Sequence, residues 1–296
     1  MDNLDNQLAK DPFGTTRPAS MPHAGTYGKD PLEIFANLSL QADACRENYR
    51  TAVPWRHIVL DGLIDPTVVS AAETQELEPA LNLRVPRTHR MVKAESPQPN
   101  GPAANRILDA LCSTAFVSFL EDLTGVTELT VDPARYARGL YVFLSGGFQS
   151  IHRDFRLHPT TGMFHRLAVL VYLNSDWQSD YGGELELWRS DMTACERRIA
   201  PAAGRVVIFE PTPTAIHGIP DPIRCPNGTA HLSLTCSYYT VSPGSEDRKE
   251  TRFLRPKRPQ DPWYLGFLTL REGVDAVRRR IERPRATVTK ALPIDR

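Results

Sequence analysis

The segment from about residue 136 to 242 constrains the fold more than any other part of the chain. It contains short runs rich in β-branched and aromatic residues, separated by Gly, Pro and Asp: GLYVFLS, GFQSIHRDF, RLAVLVYLN, GELELWR, RRIAP, GRVVIFE and AHLSLTCSYYT. Short strands at a spacing of about 8–12 residues are typical of an antiparallel sandwich or barrel. We therefore expect an antiparallel β-structure at the centre of the protein.

The sequence before this segment shows mainly the apolar spacing of helices. Residues 103–124 carry apolar side chains three and four positions apart, which predicts one or two amphipathic helices ending at Gly125. After the strand-like run WRHIVLDGLI, Asp65 and Pro66 form the N-cap and first position of another predicted helix. A further helix is expected near residues 31–50. Because the helices precede the strands without alternating with them, the predicted class is α+β.

These patterns divide the chain into four parts. Residues 1–30 are expected to form a flexible N-terminal arm, and 31–135 a helical region with a lead-in strand, packed on the core. Within it, the Pro- and Arg-rich stretch 84–102 is expected to be a loop. Residues 136–243 form the predicted β-core. Residues 244–296 form a polar, basic extension with a surface helix in REGVDAVRRRIERPRA.

Charge and cysteine content exclude several classes of protein. Lys+Arg and Asp+Glu both number 35, so no overall field attracts the chain to nucleic acid or an anionic membrane. No apolar run of about 18 residues predicts a membrane-spanning helix. The first thirty residues are polar, with Asp2 and Asp5 where a signal peptide carries positive charge, so we expect a cytoplasmic protein. The five cysteines show no CxxC spacing, which excludes a zinc ribbon and a disulfide scaffold.

Three residues suggest a metal site. His152 and Asp154 stand two apart on a predicted strand, so their side chains leave the same face. His217 follows 65 residues later, just after the strand-like run GRVVIFE. Two imidazoles and one carboxylate can occupy one face of an octahedral ion and leave three positions open, which suits a non-haem Fe(II) oxygenase. The same residues can bind zinc, so the spacing alone does not name the metal.

The stretch from Gly146 to Tyr239 resembles the Fe(II)/2-oxoglutarate-dependent oxygenase superfamily, in particular its prolyl-hydroxylase-like branch. The matching segments follow in the expected order: GGFQSIHRDF, VLVYLNSDWQSDYGGELELW, IAPAAGRVVIFE, HGIPDP and CPNGTAHLSLTCSYYT. The upstream run WRHIVLDGLIDP resembles the lead-in strand and helix of that branch. The resemblance implies a double-stranded β-helix (a cupin-like jelly roll). It also implies the cofactors Fe(II), 2-oxoglutarate and O₂, with His152, Asp154 and His217 as catalytic iron ligands.

The resemblance also implies a binding site for 2-oxoglutarate. Tyr172 matches a position whose hydroxyl binds the distal carboxylate, although a purely structural tyrosine in the core is an alternative. The family normally places an arginine in an Arg-x-Ser pattern on the strand after the distal histidine. This chain has His231, Leu232 and Ser233 there. An imidazole offers at most one charged donor where a guanidinium offers a fork of two.

Three explanations of this departure stay open. His231 can replace the arginine with weaker co-substrate binding, which we favour. An arginine from elsewhere can take over, and Arg138 is better placed for this than Arg166 or Arg205. Arg166 stands six residues from Tyr172, roughly 20 Å along a strand, too far for both to contact one carboxylate. Alternatively, the enzyme has changed or lost its 2-oxo acid.

The predicted function is hydroxylation of an unactivated C–H in a small molecule, such as an amino acid or a biosynthetic intermediate. Desaturation, ring closure and peptidyl hydroxylation of the prolyl type are alternatives through the same iron chemistry. A non-catalytic or zinc-binding jelly-roll domain is the alternative from another class. We expect no nucleic-acid or membrane partner, and a homodimer is compatible with the sequence.

Overall fold

The computed structural model describes residues 31–35, 38–88, 90–241 and 251–254. All of these residues lie in the same structural unit of the chain. The expected N-terminal arm, 1–30, and the expected helix in REGVDAVRRRIERPRA lie outside the described residues.

The N-terminal part of the structure is mainly helical, as its sequence pattern predicts. Its elements are α1 (Leu38–Thr51), β1 (His57–Leu60), α2 (Pro66–Leu81), β2 (Met91–Val92), β3 (Ala94–Ser96), α3 (Pro102–Leu111), α4 (Thr114–Thr124) and β4 (Thr130–Val131). Asp65 caps α2 by accepting a hydrogen bond from the Thr67 amide at 2.8 Å. Gly125 ends α4 in the left-handed conformation, with φ +73°. The expected loop 84–102 contains β2 and β3, which are too short to produce a periodic pattern.

The C-terminal part consists of strands. They are β5 (Gly139–Phe143), β6 (Phe148–Arg153), β7 (Phe164–Tyr172), β8 (Leu185–Trp188), β9 (Cys195–Ile199), β10 (Val206–Phe209), β11 (Ile216–Ile219), β12 (His231–Thr240) and β13 (Arg252–Phe253). The runs noted in the sequence each contain one strand or part of one. The helices before these strands do not alternate with them, so the predicted α+β class is confirmed.

The strands form two antiparallel sheets. The larger has the order β1-β10-β7-β12-β5-β3, with β4 beside β12, and the smaller has the order β13-β6-β11-β8-β9, with β2 beside β6. From β5 to β12 the chain therefore places strands 5, 7, 10 and 12 in one sheet and 6, 8, 9 and 11 in the other. Such repeated crossing between two antiparallel sheets is the topology of a double-stranded β-helix, so the fold prediction is confirmed.

The larger sheet has two faces with different roles. On β12, Leu232 and Leu234 point to the side covered by the helices, in one cluster with Leu108 of α3 and Phe116 of α4. Because side chains alternate along a strand, the odd-numbered residues of β12, such as Ser233, point toward the smaller sheet. The helices therefore close one side of the sheet, and the space between the two sheets is left for a site.

We expect Glu76→Ala to lower the free energy of unfolding by about 2–3 kcal/mol, because it removes the acceptor of buried amides. The carboxylate of Glu76 in α2 is fully buried and accepts hydrogen bonds from the amides of Asn100 and Gly101 at the start of α3. Urea denaturation of this variant and of Glu78→Ala, an exposed position on the same helix, measures the effect. Equal losses in both variants would refute the role of these bonds.

Candidate metal centre and its pocket

The three predicted ligands converge on one point between the sheets. His152 of β6 lies directly opposite His217 of β11 in the antiparallel register, and Asp154 follows one residue after β6 ends. The Nε2 of His152 is 3.3 Å from Oδ1 of Asp154, and the Nε2 of His217 is 3.8 Å from Oδ2. One ligand atom from each residue lies within 4.8 Å of the other two. A single metal ion can contact all three.

Both histidine rings are oriented by backbone carbonyl groups. The Nδ1 of His152 lies 2.9 Å from the carbonyl oxygen of Ser150, and the Nδ1 of His217 lies 3.1 Å from that of Ala215. If each Nδ1 donates its proton to its carbonyl, the Nε2 lone pair faces the carboxylate of Asp154. Such hydrogen bonds fix the tautomer and the ring orientation of metal-binding histidines.

The protonation states also fit a metal ligand set. Burial and the neighbouring His152 lower the pKa of His217 to about 4, so its imidazole is neutral near pH 7. Burial opposes ionisation of Asp154, but the imidazoles of His217 and His152 outweigh it and hold the pKa of that carboxyl below its usual range. A neutral imidazole and an ionised carboxylate are the forms that bind a metal cation.

Two aromatic rings pack against His217. The ring of Phe209 in β10 lies 4.8 Å from the imidazole between centroids, and that of Trp55 lies 6.2 Å away. Trp55 also donates a hydrogen bond from Nε1 to the carbonyl oxygen of Trp188 at 3.2 Å. The sequence did not identify Trp55 as part of the site, because the lead-in run WRHIVLDGLIDP that it begins carries no signal that places it beside His217.

A pocket extends from the three ligands between the two sheets. Polar side chains of β12 line one wall in alternation: His231, Ser233, Thr235 and Ser237. The remaining wall is mostly apolar and aromatic, with Phe143, Leu170, Leu185, Phe209 and Ile219 among its residues. The amide nitrogen of Gln149 also lies in the pocket, 3.2 Å from Nε2 of His152.

Tyr172, His231 and Ser233, expected to bind the co-substrate, all line this pocket. Tyr172 of β7 and Ser233 of β12 are direct partners in the register, and the rings of Tyr172 and His231 are 5.6 Å apart. Within the described part of the chain, the Tyr172 hydroxyl and both ring nitrogens of His231 have no hydrogen-bond partner. Buried polar atoms in native proteins normally have partners, so these three atoms indicate a place for a polar ligand.

Arg138 does not join these residues, contrary to the expectation from sequence. Its guanidinium contacts Sγ of Cys112 at 2.8 Å and the carboxylate of Asp109 at 3.7 Å, on the side of the sheet that the helices cover. Side chains alternate between the two faces of the sheet along β5. Leu140 and Val142 stand two and four residues after Arg138, so they share its face, and both face the helices.

The two other arginines considered from the sequence also contact residues outside the pocket. Arg205 binds both carboxylate oxygens of Asp61, at 2.8 and 2.9 Å, and Arg166 lies 3.8 Å from Glu210. None of the three arginines is among the described residues that line the pocket.

Lys93 is a pocket residue that the sequence did not reveal. It is the single residue between β2, which pairs with the smaller sheet, and β3, which pairs with the larger one. Its ammonium is 2.8 Å from Oε1 of Glu95 and 3.6 Å from the centroid of the Tyr141 ring. A buried ammonium thus lines the pocket with its charge already paired. Lys93 stands in the expected loop, where no periodicity marked it.

None of the helices in the described ranges is long and apolar enough to cross a membrane.

Comparisons with known proteins agree with this geometry. Residues 135–239 match the model of the 2OG-Fe(II) oxygenase superfamily. A prolyl-4-hydroxylase of Pseudomonas putida has a similar structure (TM-score 0.50, 20% identity, covering 68% of this chain and all of the other). So do prolyl 4-hydroxylases from Phytophthora capsici (TM-score 0.50, 18% identity, covering 84% of this chain and 78% of the other). At these identities the structures support the fold alone. No curated protein sequence matches the chain significantly.

The family match spans the elements that form the site. It begins just before β5, ends in β12, and includes His152, Asp154 and His217 in the order expected from the sequence. The family resemblance inferred from the sequence is therefore confirmed. This match covers residues 135–239 and describes a superfamily whose cofactors are Fe(II), 2-oxoglutarate and O₂.

Proposed function

We propose that the protein is an Fe(II)- and 2-oxoglutarate-dependent dioxygenase that hydroxylates an unactivated C–H bond of a small molecule. The observation that carries this proposal is the convergence of two imidazole Nε2 atoms and one carboxylate on a single point inside a pocket. That donor set suits ferrous iron, because it leaves coordination positions open for a co-substrate and O₂.

The ligand residues have distinct roles in this proposal. His152, Asp154 and His217 hold the iron, which, when bound, supplies the chemistry of O₂ activation. The carbonyl groups of Ser150 and Ala215 keep the two imidazoles in the metal-binding tautomer. Trp55 and Phe209 restrict the movement of His217 and limit the access of water to it.

Tyr172, His231 and Ser233 bind the distal carboxylate of 2-oxoglutarate. Their support is the absence of hydrogen-bond partners at the Tyr172 hydroxyl and the His231 nitrogens among the described residues. Ser233 lies beside them in the register and presents a hydroxyl to the same wall. The site therefore offers donors to a carboxylate but no guanidinium.

A small molecule is the preferred substrate because the iron ligands are enclosed. The side chains of His152, Asp154 and His217 are 3%, 20% and 7% exposed, so only a narrow group can reach them. A single side chain of a peptide is also narrow enough to reach them. Peptidyl hydroxylation of the prolyl type is therefore the second candidate. The fold shared with two prolyl-4-hydroxylase structures is compatible with it.

A reducing compartment, the cytoplasm, suits the cysteines. All five are free thiols, and the Sγ atoms of Cys112 and Cys236 are 3.8 Å apart without forming a disulfide.

Succinate formation tests the proposed activity. Protein purified without oxygen should release succinate from 2-oxoglutarate when Fe(II) and O₂ are both supplied, and release should stop when either is omitted. Replacement of Fe(II) by Zn(II) should abolish it, because zinc has no redox chemistry. A panel of amino acids and proline-containing peptides should then identify substrates that accelerate the reaction. A protein that binds zinc tightly and forms no succinate with Fe(II) would support the zinc-binding alternative.

A further inference from the structure

His231 is held by aromatic packing. The side chain is fully buried, and its ring stands nearly perpendicular to those of Phe143, Tyr172 and Trp177, with centroids 5.3–5.6 Å away. A Cβ on Gly183 would lie 3.0 Å from Cδ2 of His231, so the backbone at Gly183 also packs closely against the imidazole ring. The imidazole is thus fixed in the pocket wall while both of its nitrogens lack hydrogen-bond partners within the described residues.

The groups packed around His231 carry no charge. Phe143 comes from β5, Tyr172 from β7, and Trp177 and Gly183 from the segment between β7 and β8. Of these, Tyr172 alone can titrate, and burial raises its pKa far above the usual value, so it is neutral. Burial likewise lowers the pKa of His231 to about 4, which makes the imidazole neutral near pH 7 in the absence of a ligand.

No permanent cation among the described residues is free to compensate an anion at this place. Arg138, Arg166 and Arg205 contact groups outside the pocket. Lys93 does line the pocket, but its ammonium is paired with Glu95 and lies over the Tyr141 ring. A carboxylate that arrives at His231 therefore meets hydroxyl and imidazole groups without net charge. Burying an unpaired carboxylate is strongly unfavourable.

We propose that His231 takes up a proton from solvent when the distal carboxylate of 2-oxoglutarate binds, so that the co-substrate creates its own cationic partner. This inference rests on the proposed function and adds a proton to the binding step. A carboxylate within hydrogen-bond reach stabilises imidazolium over imidazole. The proton comes from the buffer, goes to a ring nitrogen of His231 and returns when the co-substrate or succinate leaves. An arginine at this position would carry its charge permanently.

Proton uptake makes co-substrate affinity depend on pH. Burial lowers the pKa of His231 to about 4 in the free protein, and a bound carboxylate raises this pKa because it stabilises the imidazolium. At a pH below the pKa of the free protein, His231 is already protonated before the co-substrate binds. At a pH above the pKa of the complex, His231 stays neutral even when the co-substrate is bound. Between the two, each bound 2-oxoglutarate brings one proton, and the affinity falls on the order of tenfold for each unit that the pH rises.

Calorimetry of the Fe(II)-loaded protein without oxygen tests this directly. 2-Oxoglutarate is titrated at pH 7 in two buffers with different ionisation enthalpies, and the difference in heat gives the number of protons taken up. 2-Oxopentanoate serves as the matched ligand, because it has the same metal-chelating end but no distal carboxylate. We expect 2-oxoglutarate to take up about one proton more than 2-oxopentanoate. Equal proton uptake by the two ligands would overturn the proposal.

Two variants identify the residue. His231→Arg should abolish the extra proton and make the affinity for 2-oxoglutarate independent of pH, while 2-oxoglutarate remains preferred over 2-oxopentanoate. Lys93→Met should keep the extra proton. If Lys93→Met instead loses the preference for 2-oxoglutarate, Lys93 supplies the charge and the proposal is wrong. If the protein binds neither 2-oxo acid, the proposed function is wrong as well. If it binds both with equal proton uptake, this inference alone is wrong.

Discussion

Asp154→Ala is expected to lower the affinity for Fe(II) by more than about 100-fold and to abolish succinate formation. The carboxylate lies 3.3 Å from Nε2 of His152 and 3.8 Å from Nε2 of His217, and it is the single anionic member of the set. Two neutral imidazoles alone would leave the charge of the metal ion uncompensated and its coordination incomplete. The loss should therefore appear in metal binding as well as in turnover.

Equilibrium dialysis with Fe(II) under argon measures the affinity. The control is Asp180→Ala, which removes a carboxylate from an exposed position in the segment between β7 and β8. The control should bind iron and form succinate as the unchanged protein does. Fe(II) affinity and turnover that survive in Asp154→Ala would show that the ion is held elsewhere.

Tyr172→Phe is expected to weaken 2-oxoglutarate binding by about 10- to 100-fold, the loss of a hydrogen bond to a charged group. The same change should leave the free energy of unfolding unchanged or raise it by about 1 kcal/mol. The reason is that the buried hydroxyl of Tyr172 has no partner among the described residues. A tyrosine that serves only the core would show no change in co-substrate affinity, so the pair of measurements separates the two roles.

Tyr238→Phe is the matched control for Tyr172→Phe. Tyr238 is also fully buried, but its hydroxyl donates to the carbonyl oxygen of Leu111 at 2.7 Å on the helix-covered side of the sheet. Its removal should lower the free energy of unfolding by about 1 kcal/mol and leave 2-oxoglutarate affinity intact. Equal co-substrate affinity in Tyr172→Phe and the unchanged protein would remove Tyr172 from the binding site.

The β-core was predictable because its signals are local. In HLSLTCSYYT, alternation places Leu232 and Leu234 against the helices and His231 and Ser233 toward the smaller sheet, as the structure has them. The spacing of His152 and Asp154 predicted one face, the position of His217 after GRVVIFE made it the third candidate, and the family resemblance implied the same three ligands. The three ligands come together because β6 and β11 are neighbours in the sheet, and the topology of the superfamily defines this pairing.

Other features depend on tertiary contacts that the sequence does not encode locally. Lys93 enters the pocket because β2 and β3 join different sheets, and each strand is too short to predict. Trp55 reaches His217 although no motif links them. The wrong prediction for Arg138 has a different cause, because the alternation of side chains along β5 is visible in the sequence. Tyr141 and Phe143 face the pocket, whereas Arg138 lies on the same face of the strand as Leu140.

The neutral environment of His231 could not be inferred from the sequence either. The replacement of an arginine by histidine was visible, but the three perpendicular rings that exclude charge come from three separate segments. Burial among those rings, not the residue type alone, determines that the imidazole is neutral without a ligand.

The visible absorption of the Fe(II)–2-oxo acid chelate tests the central claim most directly. Addition of 2-oxoglutarate to the Fe(II)-loaded protein without oxygen should produce a charge-transfer band, because the keto acid and the three ligands then share one ion. The band should be present in Asp180→Ala and absent in Asp154→Ala. A band of equal intensity in Asp154→Ala, or none in the unchanged protein, would contradict an iron centre at His152, Asp154 and His217.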